Sequence, residues 1–208
     1  MLLWSNNTVP YELSNRYSNT EKSIIRSSLN KLESKTCFKF VNRNAETDYL
    51  YIDKLDGCFS YVGKIGGRQL VSLGDGCVYN YIIWHEIMHA LGVEHEHQRP
   101  DRDAYIRINY NNIEPGLTGD TSSLKCIKNL DQFDKVPYRD VMLVTPYDYH
   151  SIMHYDSQAF GRFDPKLGTI LETMVPKKKG IKIYDVMRLS ASDYKKLRFL
   201  GECPSVGI

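Results

Sequence analysis

The chain has 208 residues, enough for one domain with a sizeable core or for two closely joined lobes. Apolar residues make up 42% and charged residues 25%, with 27 basic against 25 acidic side chains, a composition that excludes disordered and fibrous classes. The net charge of +2 gives no ground for nucleic acid or an anionic membrane as partner. No run of roughly eighteen apolar residues is present, so no membrane insertion is expected.

The opening Met1-Leu2-Leu3-Trp4 is too short for a signal-peptide core, so a secreted protein would carry its targeting segment outside this chain. Asn6-Asn7-Thr8 is an N-glycosylation sequon and leans towards an extracellular setting. Ser18 with Glu21 forms a capping box for a helix over 18–36, whose Ile25, Leu29 and Leu32 share one face. Strand-like runs follow at Phe38–Val41, Tyr49–Ile52, Tyr61-Val62 and Gln69–Ser72, with a Gly66-Gly67 turn before the last. A helix is expected over about 80–91, stopped by Gly92. Beyond it the chain has little periodicity until Ser190, which can cap a last helix with Ala191, Tyr194, Leu197 and Leu200 on one face and Gly201 at its end. Sheet and helices first and loops after predict an α+β fold of two lobes meeting near residue 92 and sharing one cleft.

Five cysteines, at 37, 58, 77, 126 and 203, contain no C-x-x-C. That argues against zinc ribbons and redox pairs. Two disulfides with one thiol left over fit the count, as do five buried thiols in a cytosolic protein.

The chemistry concentrates in His85-Glu86-Ile87-Met88-His89-Ala90-Leu91-Gly92-Val93-Glu94-His95. On a helix, His85 and His89 at i, i+4 project from one face and can share a metal ion. Glu86, one position on, can reach a water on that metal without ligating it. Gly92 can end the helix with positive φ, so that the chain reverses and returns His95 as a third ligand. Three imidazoles leave Zn²⁺ an open fourth position, the arrangement of a catalytic site. A bare pair of histidines at this spacing is usually structural; the glutamate, the glycine and the third histidine together are what make the signal specific.

This stretch resembles the zinc signature of the metzincin endopeptidases. Glu96, Arg99, Asp101, Arg102 and Asp103 extend it in the manner of the astacin family, and Ser151-Ile152-Met153-His154-Tyr155 resembles that family's Met-turn. Trp4-Ser5, Cys58 to Gly63, Gly76 to Tyr79 and Cys203 also have family counterparts, so the resemblance covers nearly the whole chain. It implies a single peptidase domain over 1–208, with an N-lobe of about 1–92 that holds helices and a twisted, mostly antiparallel-edged sheet. The C-lobe, about 93–208, is then irregular with one C-terminal helix.

The implied activity is that of a secreted zinc endopeptidase acting on proteins or peptides, with one Zn²⁺ per chain. His85, His89 and His95 are the implied metal ligands, and Glu86 is the base that activates a zinc-bound water. Met153 would form an apolar floor. Tyr155 would ligate zinc at rest and otherwise stabilise the oxyanion. Read without the resemblance, Met153 and Tyr155 are plain core residues, and no metal role attaches to His97, His150 or His154. The resemblance also implies the disulfides Cys37–Cys203 and Cys58–Cys77. An edge strand at Tyr61–Lys64 or Gln69–Ser72 would accept an extended peptide; the alternative is an ordinary covered strand.

The chain departs from the family pattern in three places. Cys126 has no partner, and the segment 116–146 around it is long. Only three residues precede Trp4, whereas the family's freed N-terminus reaches the glutamate matched by Glu96. No pro-segment is included, and further C-terminal domains would lie beyond Ile208. Lys177-Lys178-Lys179 either favours acidic residues after the scissile bond or is a solvated face. The competing class is a protease-fold binding module with a purely structural zinc, which a missing Glu86 would have favoured.

Overall fold

A computed structural model describes residues 3–115, 130–141 and 143–204. Cys126, and with it residues 116–129 of the long segment, lies outside the described residues. Contacts group the chain into two compact units. One takes in the described residues of Met1–Val93, Leu143–Pro146 and Val186–Ile208, the other those of Glu94–Met142 and Tyr147–Asp185.

The first unit is built on a five-stranded sheet of order β2-β1-β3-β5-β4. Its strands are β1 (Thr8–Leu13), β2 (Lys39–Asn42), β3 (Tyr49–Asp53), β4 (Cys58–Ser60) and β5 (Arg68–Leu73). β1 runs parallel to β2 and β3, and β3 parallel to β5; only β4 is antiparallel, at one edge. A parallel pair needs a long crossover, and helix α1 (Asn19–Glu33) supplies it between β1 and β2. The capping box at its start is present, with Ser18 and Glu21 exchanging side-chain and backbone bonds. Ile25, Ser28, Leu29 and Leu32 form its buried face, the i, i+3, i+4, i+7 stripe of a helix laid on a core.

For Gln69–Ser72 the sheet decides between an edge and a covered strand in favour of the covered one. Gln69–Ser72 lies inside β5, flanked by β3 and β4, and Tyr61–Lys64 forms no strand. The edges are β2 and the antiparallel Cys58–Ser60, which ends where Tyr61 begins. β1 was not anticipated at all. It carries Pro10, a residue that usually bars a strand from a sheet interior, and pairing with β3 starts one residue later, at Tyr11.

Helices α2 (Asn80–Leu91) and α3 (Ala191–Leu200) complete this unit. α3 begins with a second capping box, between Ser190 and Asp193. A division by chain order puts residues 186–204 in the C-lobe; here they cluster with the sheet-bearing unit, to which Cys203 is bonded through Cys37. The second disulfide, Cys58–Cys77, fastens edge strand β4 to the approach to α2.

Among its described residues the second unit has little regular structure. It contains the short pairs β6 (Ile106–Ile108) with β9 (Met174–Pro176) and β7 (Phe163–Asp164) with β8 (Thr169–Ile170), besides single 3-10 turns between residues 96 and 140. Its core is Ile106, Ile113, Phe133, Tyr147, Met174 and Ile183. Among the described residues no helix is long and apolar enough to cross a membrane.

Candidate metal and catalytic site

α2 carries the first part of the site. Trp84 Nε1 donates to the Ser28 carbonyl at 3.0 Å, and Ser28 Oγ bonds Asn80 Oδ1 at 2.7 Å, which ties α2 to α1 along one side. Ile83, Ile87, Met88 and Leu91 are buried beneath it. The helix ends at Gly92, whose φ of 109° is left-handed. Gly92 N–H donates to His89 O at 2.8 Å and Val93 N–H to Met88 O at 2.9 Å, the paired bonds of a Schellman cap.

That cap also orients His89. With the chain turned back, the Val93 carbonyl lies 2.9 Å from His89 Nδ1. A carbonyl can only accept, so Nδ1 carries the proton and Nε2 keeps its lone pair. His85 Nε2 is 3.2 Å from His89 Nε2. Two imidazole nitrogens on one tetrahedral zinc sit about 3.3 Å apart at ordinary Zn–N lengths, so the pair fits the ion. His95 joins them: one nitrogen from each of His85, His89 and His95 lies within 4.8 Å of the others.

Glu86 is buried, at 5% exposure. Desolvation raises its carboxyl from 4.5 to about 8. A neighbouring dication acts in the opposite direction and favours the carboxylate.

The chain after His95 is fixed by a buried carboxylate. Glu96 Oε1 receives Arg99 Nη1 at 3.0 Å and the Asp148 amide at 2.8 Å. The same guanidinium forks onto Asp101 at 2.9 and 2.8 Å. Glu96 N–H in turn donates to Met153 O at 2.9 Å, so the turn bearing Met153 is pinned beside the His95–Glu96 segment. Met153 is fully buried. Two residues on, the Tyr155 ring lies 4.6 Å from the His95 ring and stacks on His97 at 4.2 Å.

The remaining histidines have structural partners. His97 Nε2 bonds the Gln132 carbonyl at 3.0 Å, and His154 bonds the Tyr147 hydroxyl at 2.7 Å and the Tyr155 carbonyl at 2.6 Å. The His150 ring faces Tyr184. Lys177, Lys178 and Lys179 are all exposed, and Lys177 Nζ bonds the Asp103 carbonyl, as a solvated face would. Sequence reasoning overlooked the Val93 carbonyl, Asp148 and Gln98. Only Gln98 left a trace, as an amide three residues after His95.

Fold and donor set define the class: an α+β chain carrying three imidazoles whose spacing could hold a metal ion. The model of the astacin peptidase family matches residues 1–200, and the chain belongs to that family, whose zinc metalloproteinases use a catalytic zinc. It is 50% identical over 204 residues to zinc metalloproteinase nas-12 of Caenorhabditis elegans, covering 98% of this chain and 50% of the relative. It is 40% identical to nas-4 of the same organism, covering 98% of this chain and 60% of that one. The chain thus spans about half the length of the curated relatives it matches. Among solved structures it resembles high choriolytic enzyme 1, a hatching-enzyme zinc protease of the medaka Oryzias latipes. That match has a TM-score of 0.82 and 34% identity, over 98% of this chain and 94% of that one.

Proposed function

We propose that residues 1–208 form one catalytic domain of a secreted zinc endopeptidase that cleaves proteins or peptides. The observation that carries this is the cluster of His85, His89 and His95 nitrogens within 4.8 Å, with buried Glu86 next to the first of them. His85, His89 and His95 hold the metal, which when bound supplies a Lewis acid and a water of lowered pKa. Glu86 takes the proton of the attacking water and delivers it to the leaving amine. Tyr155, whose ring lies beside that of His95, donates its hydroxyl to the developing oxyanion. Met153 and Glu96 shape the site without touching the reacting atoms. Backbone groups of edge strand β4 offer an extended substrate a pairing partner. The two disulfides support an extracellular setting.

Casein cleavage by the parent and by Glu86→Ala, with zinc measured on both, tests this reading. The variant should keep its zinc and lose activity by at least about 100-fold. Equal cleavage by both, or one zinc on each with no cleavage by either, defeats it. Recovery of the full-length product inside cells rather than in the medium defeats the secretion reading.

A further inference from the structure

The support of the third histidine can be assigned from hydrogen-bond logic alone. Gln98 Nε2 lies 3.2 Å from the Gln132 carbonyl oxygen, which can only accept. The amide must therefore turn its NH₂ group towards Gln132. Its other end, Oε1, then faces His95 Nδ1 at 3.1 Å. Oε1 accepts only as well, so Nδ1 of His95 holds the proton and Nε2 is the lone-pair nitrogen. The Gln132 carbonyl thus fixes the Gln98 amide, and the amide fixes the imidazole. This relay does for His95 what the Val93 carbonyl does for His89. Gln132 sits in the single turn Asp131–Phe133, whose Phe133 is fully buried in the second unit's core, so the relay is anchored to the packing of that unit.

We propose that Gln98 is a positioning residue of the metal site, holding His95 in the tautomer and ring orientation that present Nε2 as the ligand atom. This rests on reading His85, His89 and His95 as ligands. Groups of this kind act on metal affinity rather than on a reacting atom, and losing one typically weakens binding by 10- to 100-fold.

Two measurements test it. The first is the zinc dissociation constant of the whole protein, by competition with a chelator, for the parent, Gln98→Leu and Gln98→Glu. Gln98→Leu should bind zinc about 10- to 100-fold more weakly, while Gln98→Glu, which keeps an acceptor for Nδ1–H but loses the donor to the Gln132 carbonyl, should weaken binding less than Gln98→Leu. Circular dichroism of the metal-free proteins confirms that each variant is folded. Gln98→Leu within about threefold of the parent overturns the proposal.

The second is the tautomer of His95 in the metal-free parent, from long-range ¹H–¹⁵N NMR, which needs no variant. A proton on Nδ1 is expected; a proton on Nε2 overturns the proposal even if Gln98→Leu does not fold. Should the parent bind no zinc, the ligand reading falls while the tautomer still decides the role of Gln98.

Discussion

The indole N–H of Trp4 donates to the carbonyl of Ala90 at 2.9 Å, across 86 residues of sequence. Ala90 is in the last turn of α2, where a helix leaves its carbonyls without internal partners. Gly92 and Val93 serve His89 and Met88, Gly63 N–H adds a second bond to His89 O, and Trp4 serves Ala90. Trp4→Phe removes the donor and part of the buried ring, so it should cost at least about 1–2 kcal/mol. For a chain of this size that lowers Tm by roughly 2–8 °C. An unchanged melting curve would show that the bond contributes nothing.

Gly92 holds a φ of 109°, which an L-residue adopts only with strain. Gly92→Ala should destabilise by roughly 1–2 kcal/mol, and Gly92→Asn by less, because asparagine tolerates the left-handed region. Urea unfolding should rank parent, Asn and Ala in that order. Alanine as stable as the parent would mean that the cap has relaxed to another geometry.

The two disulfides should contribute unequally. Cys37–Cys203 spans 166 residues and Cys58–Cys77 spans 19, so loop-closure entropy assigns them about 5 and about 3 kcal/mol respectively. Equilibrium unfolding of the Cys37→Ser/Cys203→Ser and Cys58→Ser/Cys77→Ser pairs measures the difference. A larger loss from the short loop would show that the effect lies in native-state packing.

The α1 cap makes a pH prediction. Lys54 Nζ at 2.9 Å and the Ser18 backbone and hydroxyl at 2.8 Å lower the Glu21 carboxyl from 4.5 to about 2. A lowered folded-state pKa means stabilisation that is complete above the ordinary value. It is lost as pH falls from about 4.5 towards about 2. Glu21→Gln should flatten the stability profile in that window, and NMR titration should place Glu21 below the other exposed glutamates. A Glu21 midpoint near the ordinary carboxylate value would contradict the bonding seen at the cap.

Where the sequence carries its signal in local chemistry, the structure follows it. Ser18 and Glu21 start α1, Gly92 ends α2, and the spacing of His85, His89 and His95 brings their nitrogens together. Non-local features are less legible. Pro10 disguises β1, because its cost depends on which neighbour it faces, and that is fixed only when the sheet assembles. The antiparallel edge at Cys58–Ser60 is hard to read because β4 is a three-residue strand, too short to show an alternating pattern. Residues 186–204 join the sheet-bearing unit through packing and the bond to Cys37, neither of which leaves a periodic trace nearby. Asp148 and the Gln132 carbonyl lie 52 and 34 residues from the groups they support. No motif spans that distance.

The bond between Cys37 and Cys203 closes most of the chain into a ring. A protein held among endopeptidases is exposed to being nicked, and a linear chain cut once falls into two pieces. Here a single cut anywhere between residues 37 and 203 leaves one covalent molecule, with the severed ends kept at high local concentration by the fold around them. Such damage is invisible on a non-reducing gel and appears only when the disulfides are reduced.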